Sequence, residues 1–213
     1  MRPHDLLRLT GDAGLRHVEG SVPAWVPTSL ARAPWVVVRR VRGPTGLIPV
    51  GVRGSTRAER FAALLAPDAV AARVTPEDLI AERVWHHMPR ARRLGPLQDL
   101  DTVDELFSSL GLVWGPTGSV GFELATGVAV AGNASDLDVV VRSPEPWPLE
   151  SAREIADHLN RLPTCVDAQL DTPAGAVMLN EYARGERVLL RTPDGPRLTW
   201  DPWRETTTDL RSA

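Results

Sequence analysis

The chain has 213 residues, enough for one or two domains of roughly 100–200 residues and for a substantial buried core. It is 43% hydrophobic and 24% charged, which excludes a disordered chain, and its single cysteine excludes a disulfide framework or a cysteine-rich zinc cage. A net charge of −3 argues against broad nucleic-acid binding, and no run of about 18 apolar residues offers a membrane span.

All 24 basic residues are arginine. GC-rich coding explains this as well as bidentate phosphate recognition does. The absence of lysine removes any P-loop lysine, Schiff base or lysine nucleophile. Residues 1–5 carry an acid and no apolar h-region follows, so a chain of the cytoplasm without a secretory signal is expected.

In chain order, residues 35–41 predict a strand, 43–46 a turn and 47–53 its partner strand, with Pro49 pointing to an edge or a bulge. Residues 57–65 have helical composition behind a Ser55 or Thr56 cap. Thr75-Pro76-Glu77-Asp78 starts a helix reaching about Val84: a cap, proline at the first position, then acids at the positive end. Residues 88–96, rich in arginine with proline and glycine, read as the inter-domain segment. A helix over 101–110 ends at Gly111, and a short strand occupies 112–114. The glycine-rich turn 115–121 leads into helix around 122–125. A strand over 135–142, an amphipathic helix over 148–162, a strand over 165–170 and a helix over 174–184 follow. Residues 188–191 and 197–200 flank Pro193-Asp194-Gly195, a hairpin signal. The fold class is α+β: a small β-rich N-terminal domain over 1–85, then a domain over 90–213 with a mixed sheet flanked by helices.

One constellation carries chemistry. On the strand over 135–142, Asp136 and Asp138 share a face while Leu137 and Val139 point into the core. Two such carboxylates repel unless a cation lies between them, and an oxygen-only site suits Mg²⁺ or Mn²⁺. Asp167, flanked by Val166 and Ala168 on the next strand, offers a third carboxylate. Gly118 lets the backbone approach a phosphate, and Ser119 adds a hydroxyl donor where amides lead into a helix. These are the parts of phosphoryl or nucleotidyl transfer. An Asp-x-Asp pair by itself also occurs on solvated strands, in calcium loops, glycosyltransferases and phosphatases. The apolar run Val139-Val140-Val141 favours an inner strand, where a bare pair is costly.

Gly118-Ser119, then Asp136-Leu137-Asp138, then a later strand aspartate resembles the polymerase-β type of nucleotidyltransferase. The 16 residues between Ser119 and Asp136 exceed that pattern's usual spacing and imply an extended loop. Residues 2–7, 50–54, 118–127, 135–138 and 201–203 together resemble the malonate decarboxylase holo-acyl-carrier-protein synthase family, also called phosphoribosyl-dephospho-CoA transferases. That resemblance implies a reaction in which 2′-(5″-triphosphoribosyl)-3′-dephospho-CoA is attacked at its α-phosphorus by a serine of the decarboxylase's acyl-carrier subunit. Diphosphate leaves. The family's paired catalytic aspartates fall on Asp136 and Asp138. The partner implied is that carrier subunit, with neither nucleic acid nor membrane.

Around this centre, Arg53 and Arg142 are candidate phosphate or donor ligands, Arg142 pairing with Glu145 in the alternative reading. Arg39, Arg40, Arg57 and Arg60 form either a solvated face or a clamp on phosphates or an acidic carrier. His4 with Asp5 reads as a turn-orienting pair, and the adjacent His86 and His87 face different ways. The seven tryptophans read as core and interface residues, and Cys165 as a buried small hydrophobe. Gly127 and Gly132-Asn133 turn the chain, or belong to a loop that closes over the donor. Two rival functions stand beside this one: a carrier-binding module without chemistry, and a nucleotidyltransferase with another acceptor.

Overall fold

Alternating burial along short β-branched segments sets up the first sheet. The structure is a computed structural model that describes residues 1–11, 14–17, 21–56 and 58–204. Strands β1 (Leu6–Leu9), β2 (Leu15–His17), β3 (Trp35–Val38), β4 (Ile48–Arg53), β5 (Arg60–Leu65) and β6 (Val70–Val74) pair antiparallel in the order β2-β5-β4-β3-β1-β6. Helix α1 (Trp25–Arg32) places Val26 on the core formed by Leu7, Val36, Val50 and Leu65.

The helix expected over 57–65 is strand β5. Composition favoured helix, but Phe61, Ala63 and Leu65 alternate, and Ala63 sits opposite Val50 of β4. Cross-strand pairing therefore overrides local propensity. Ser55 and Thr56 cap a tight turn instead: the Glu59 carboxylate accepts from the Ser55 hydroxyl at 2.8 Å and the Thr56 N–H at 2.9 Å. Pro49 lies in an interior strand rather than at an edge, one step past the last β3–β4 pair, Val38 with Val50. Its carbonyl still accepts the Arg39 N–H at 2.9 Å, so what proline costs is the return donor at the end of the ladder.

Helix α2 (Pro76–Ala81) begins as the sequence dictates. Thr75 Oγ1 accepts the Asp78 N–H at 3.2 Å, and the Asp78 carboxylate accepts the Thr75 N–H at 2.7 Å. The expected linker over 88–96 is not a free segment. Residues Pro89–Arg93 form a 3₁₀ turn, and Met88, Ala91 and Leu94 pack on the second core. Leu79 and Trp85 belong to that core too, so the chain passes from one core to the other just after Val74. Helix α3 (Gly95–Ser109) starts earlier than 101 because Leu97 and Leu100 extend its apolar stripe, and Gly111 (φ +65°) ends it as expected.

The second sheet has strands β7 (Val113–Pro116), β8 (Leu137–Arg142), β9 (Val166–Thr172), β10 (Gly175–Met178), β11 (Val188–Thr192) and β12 (Gly195–Thr199) in sequential order. Strands β8 and β9 are parallel, joined by the crossover helix α5 (Leu149–Leu159); the other pairs are antiparallel. The helix expected over 174–184 splits into β10 and the short helix α6 (Leu179–Tyr182). Thr172 Oγ1 accepts the Gly175 N–H and turns the chain back, so Ala176 and Val177 are buried in the sheet. No helix among the described residues is long and apolar enough to cross a membrane.

The two sheets are tied together behind the site. Phe122 of helix α4 (Gly118–Thr126) packs on Leu6 and Ala33 of the N-terminal part. Arg40 reaches Asp171 at 2.6 Å, Arg142 reaches Asp171 at 2.7 Å and Glu77 at 2.6 Å, and Arg2 reaches Glu77 at 2.9 Å. Burial opposes ionisation of Glu77, but the hydrogen bond from Arg142 and the charges of Arg142 and Arg2 hold its carboxyl below the usual range. His4, in left-handed backbone (φ +75°), accepts at Nε2 from the Gln169 amide at 2.9 Å. Burial, then Arg40 and Arg142, lower its pKa to about 4 against the pull of Asp171, so the ring is neutral at pH 7.

Candidate active site

Strand β7 delivers the chain to Thr117, whose N–H donates to the Asp138 carbonyl at 2.8 Å, and α4 begins at once. Gly118 opens the helix in left-handed backbone (φ +58°), and a Cβ there would lie 1.9 Å from Asp138 Oδ2. The backbone of the glycine–serine turn thus abuts the carboxylate, a closeness that only glycine permits. Ser119 is nearly buried in the first turn. Asp136 immediately precedes β8, and Asp138 is its second residue between buried Leu137 and Val139.

A cavity of about 240 Å³ joins these parts, lined by Gly118, Ser119, Ser135, Asp136 and Asp138 from the second domain. Its opposite wall is Arg53 and Arg60, cross-strand partners at the end of the β4–β5 hairpin. The Arg53 guanidinium also lies over the Phe122 ring, 5.9 Å from its centre. Two guanidinium side chains and a helix N-terminus therefore share one polar space with two carboxylates.

Asp167 sits beside Asp138 in the β8–β9 register, and β9 alternates so that Asp167, Gln169 and Asp171 share one face. It does not line the cavity with the other two. All three carboxylates act on one neighbour: partial burial and then the charges of Asp167, Asp136 and Asp138 push the Cys165 thiol up. Cys165 itself is exposed, not a buried hydrophobe. It precedes β9 and shares the polar face of Asp167 two residues on. Among the described residues, no three His, Cys, Asp or Glu side chains are drawn close enough to hold a metal ion.

Arg142 is drawn to Glu77 and Asp171, not Glu145, and lines neither this cavity nor the one beside it. Of the N-terminal arginines, Arg53 and Arg60 reach the cavity, Arg40 binds Asp171, Arg39 is exposed, and Arg57 lies outside the described residues. His86 pairs with Asp101 at 2.6 Å, away from the site. Trp85, Trp114 and Trp203 are buried, and Trp203 donates to the Ser143 carbonyl at 2.8 Å, but Trp200 is 71% exposed.

Glu123 escaped the sequence reading. It is fully buried, accepting from Arg90 Nε and from the Val130 and Ala131 N–H groups, each at 2.9 Å. It pins the loop after Gly127 to α4. A glutamate inside the apolar run Val120-Gly121-Phe122-Glu123-Leu124 was the available signal. We expect Glu123→Ala to lower unfolding stability by about 1–3 kcal/mol in denaturant titration, since it leaves the Val130 and Ala131 amides without their acceptor while the half-exposed Arg90 turns to water.

A mixed sheet presenting paired carboxylates to a glycine–serine turn, closed by arginines from a second domain, defines a phosphate-handling α+β transferase. Comparison with known proteins gives the family. Residues 2–76 match the N-terminal domain, and 83–202 the C-terminal domain, of the phosphoribosyl-dephospho-CoA transferase MdcG family, and the chain belongs to it. Phosphoribosyl-dephospho-CoA transferases of Pseudomonas putida and Azotobacter vinelandii are each 43% identical, over 95% and 96% of this chain and 95% of each relative. That of Pseudomonas aeruginosa is 40% identical over 95% of this chain and 93% of its own. No solved structure matches.

Proposed function

We infer that the chain transfers the phosphoribosyl-dephospho-CoA group of 2′-(5″-triphosphoribosyl)-3′-dephospho-CoA to a serine of the apo acyl-carrier subunit of malonate decarboxylase, in the cytoplasm. The observation that carries this reading is the polar cavity in which Gly118-Ser119, Arg53 and Arg60 face Asp136 and Asp138. The family name supplies the transferred group; the resemblance in the sequence supplies the triphosphate form of the donor and the acceptor.

The triphosphate enters between the arginines and the turn. Backbone amides at the start of α4, the Ser119 hydroxyl and the two guanidinium groups take the phosphate oxygens. The carrier serine oxygen forms a bond to the α-phosphorus. The bond from that phosphorus to the bridging oxygen breaks, diphosphate departs with the electron pair, and the serine proton passes to an Asp136 or Asp138 carboxylate and on to water. Those two carboxylates are hard oxygen donors of the kind that suits Mg²⁺ or Mn²⁺, and they would hold the ion as a pair, since Asp167 stays outside the cavity. When bound, such an ion neutralises phosphate charge and lowers the pKa of the attacking hydroxyl. Arg53 and Arg60 neutralise the donor's phosphate oxygens from the other wall, in the ground state and the transition state alike.

Mass spectrometry of the apo carrier subunit after incubation with donor, Mg²⁺ and this protein tests the reading. A mass increase equal to the phosphoribosyl-dephospho-CoA group on one serine is expected. An unchanged mass with folded protein and intact donor overturns it. Arg53→Ala should raise the donor KM about tenfold while kcat moves little, because this side chain holds phosphate away from the bond being made. Steady-state kinetics in donor checks it.

A further inference from the structure

A second cavity, again of about 240 Å³, adjoins the polar one and shares Arg53, Arg60, Gly118 and Asp138 with it. The shared residues are all at one rim. Beyond them the wall is apolar: Leu6, Val37 and Val52 from the first sheet, Leu79, Pro116 and Phe122 from the second domain. The two spaces together have the size of a small-molecule site. Among the described residues that line it, the only ionisable side chain away from that rim is His4, which burial and then the charges of Arg40 and Arg142 hold neutral. The Gln169 amide donates to its Nε2, which leaves Nδ1 to carry the ring hydrogen.

We propose that this cavity, built half from each domain, binds the adenine ring of the donor; the assignment rests on the transfer reading above. The occupant must be uncharged, because nothing beyond the rim would pair a charge. It must be attached to phosphate, because the rim opens onto the arginines and the glycine–serine turn. The donor has two uncharged ends, adenine and the pantetheine arm. The arm carries two amides, and among the described residues Thr117 and His4 are the only polar side chains that line the cavity beyond the rim. Burying the arm there would leave amide groups unpaired. A flat heterocycle loses little by lying between apolar walls, and a neutral His4 offers its N–H to a purine acceptor. The interface between the domains is then the specificity element: the first sheet contributes both an arginine clamp and half the base pocket.

Binding to the full chain by calorimetry tests this with adenosine, pantetheine and inorganic tripolyphosphate as probes. Adenosine is expected to bind at least about tenfold more tightly than pantetheine, the scale of one ordered aromatic contact. Val37→Trp, which fills the pocket, should weaken adenosine at least about tenfold and leave tripolyphosphate within about twofold. Pantetheine binding as well as adenosine overturns the assignment, as does adenosine affinity unmoved by Val37→Trp. If circular dichroism shows that variant unfolded, the adenosine–pantetheine ratio in the unaltered protein decides alone. Failure of the two readings is distinguishable. A carrier subunit left unmodified while Val37-dependent adenosine binding persists defeats the transfer reading only. Carrier modification with a donor KM unchanged in folded Val37→Trp defeats the base pocket only.

Discussion

Replacing Asp138 or Asp136 by Asn is expected to lower the rate of carrier modification at least about 100-fold while the far-UV circular dichroism stays unchanged. Asn keeps the shape of Asp, so the close fit of residue 138 against Gly118 survives. What disappears is charge in the cavity that two carboxylates and the glycine–serine turn line together. An amide is a poor ligand for a hard cation and a poor acceptor for a serine proton, and loss of one preorganised electrostatic contact costs about 10²–10³ in rate. The Arg53 and Arg60 wall remains, so donor binding should fall much less than turnover. Single-turnover kinetics at saturating Mg²⁺ separates the two. Near-normal turnover in either variant would remove that residue from the chemistry.

The strand that carries Asp138 and the turn before α4 were legible because their signals are local. Apolar flanks fix the strand, alternation fixes which side Asp138 faces, and glycine before serine marks the turn; Asp136, expected inside the strand, lies one residue ahead of it. The Thr75 cap and the Gly111 terminus were legible for the same reason: each is written within four residues. The errors share the opposite property. Residues 60–65 and 175–178 are strands because of what lies beside them, β4 in one case and strands β9 and β11 in the other. Ala and Leu carry no mark of that. Arg142 looked like a phosphate ligand from its position at a strand end. Its partners, Glu77 and Asp171, come from 65 residues before and 29 after, and nothing nearby announces them. Arg60 reached the cavity wall only once β5 was a strand, placing it across from Arg53. The base pocket was invisible for a larger reason, since its walls come from both domains and exist only when these dock.

Gly118→Ala is expected to reduce turnover about 100-fold or more while the protein still folds. The substitution has two costs. Left-handed backbone at φ +58° disfavours any L side chain, by about 1–2 kcal/mol. The new methyl would also lie 1.9 Å from Asp138 Oδ2, 2.7 Å from its Cγ and 3.0 Å from its Cβ. The carboxylate can swing aside, which spares the fold, but the group that moves is the one that must meet the donor, and a displacement of about 1 Å costs about 10² in rate. Gly127→Ala separates these effects. Gly127 ends the same helix at φ +71° with nothing within 4 Å of the added Cβ. It carries the backbone strain without the collision. Both variants should lose similar stability in a thermal melt, and Gly127→Ala should keep activity within about threefold. Equal losses of activity in the two would show that α4's backbone, rather than the contact between Gly118 and Asp138, controls the reaction.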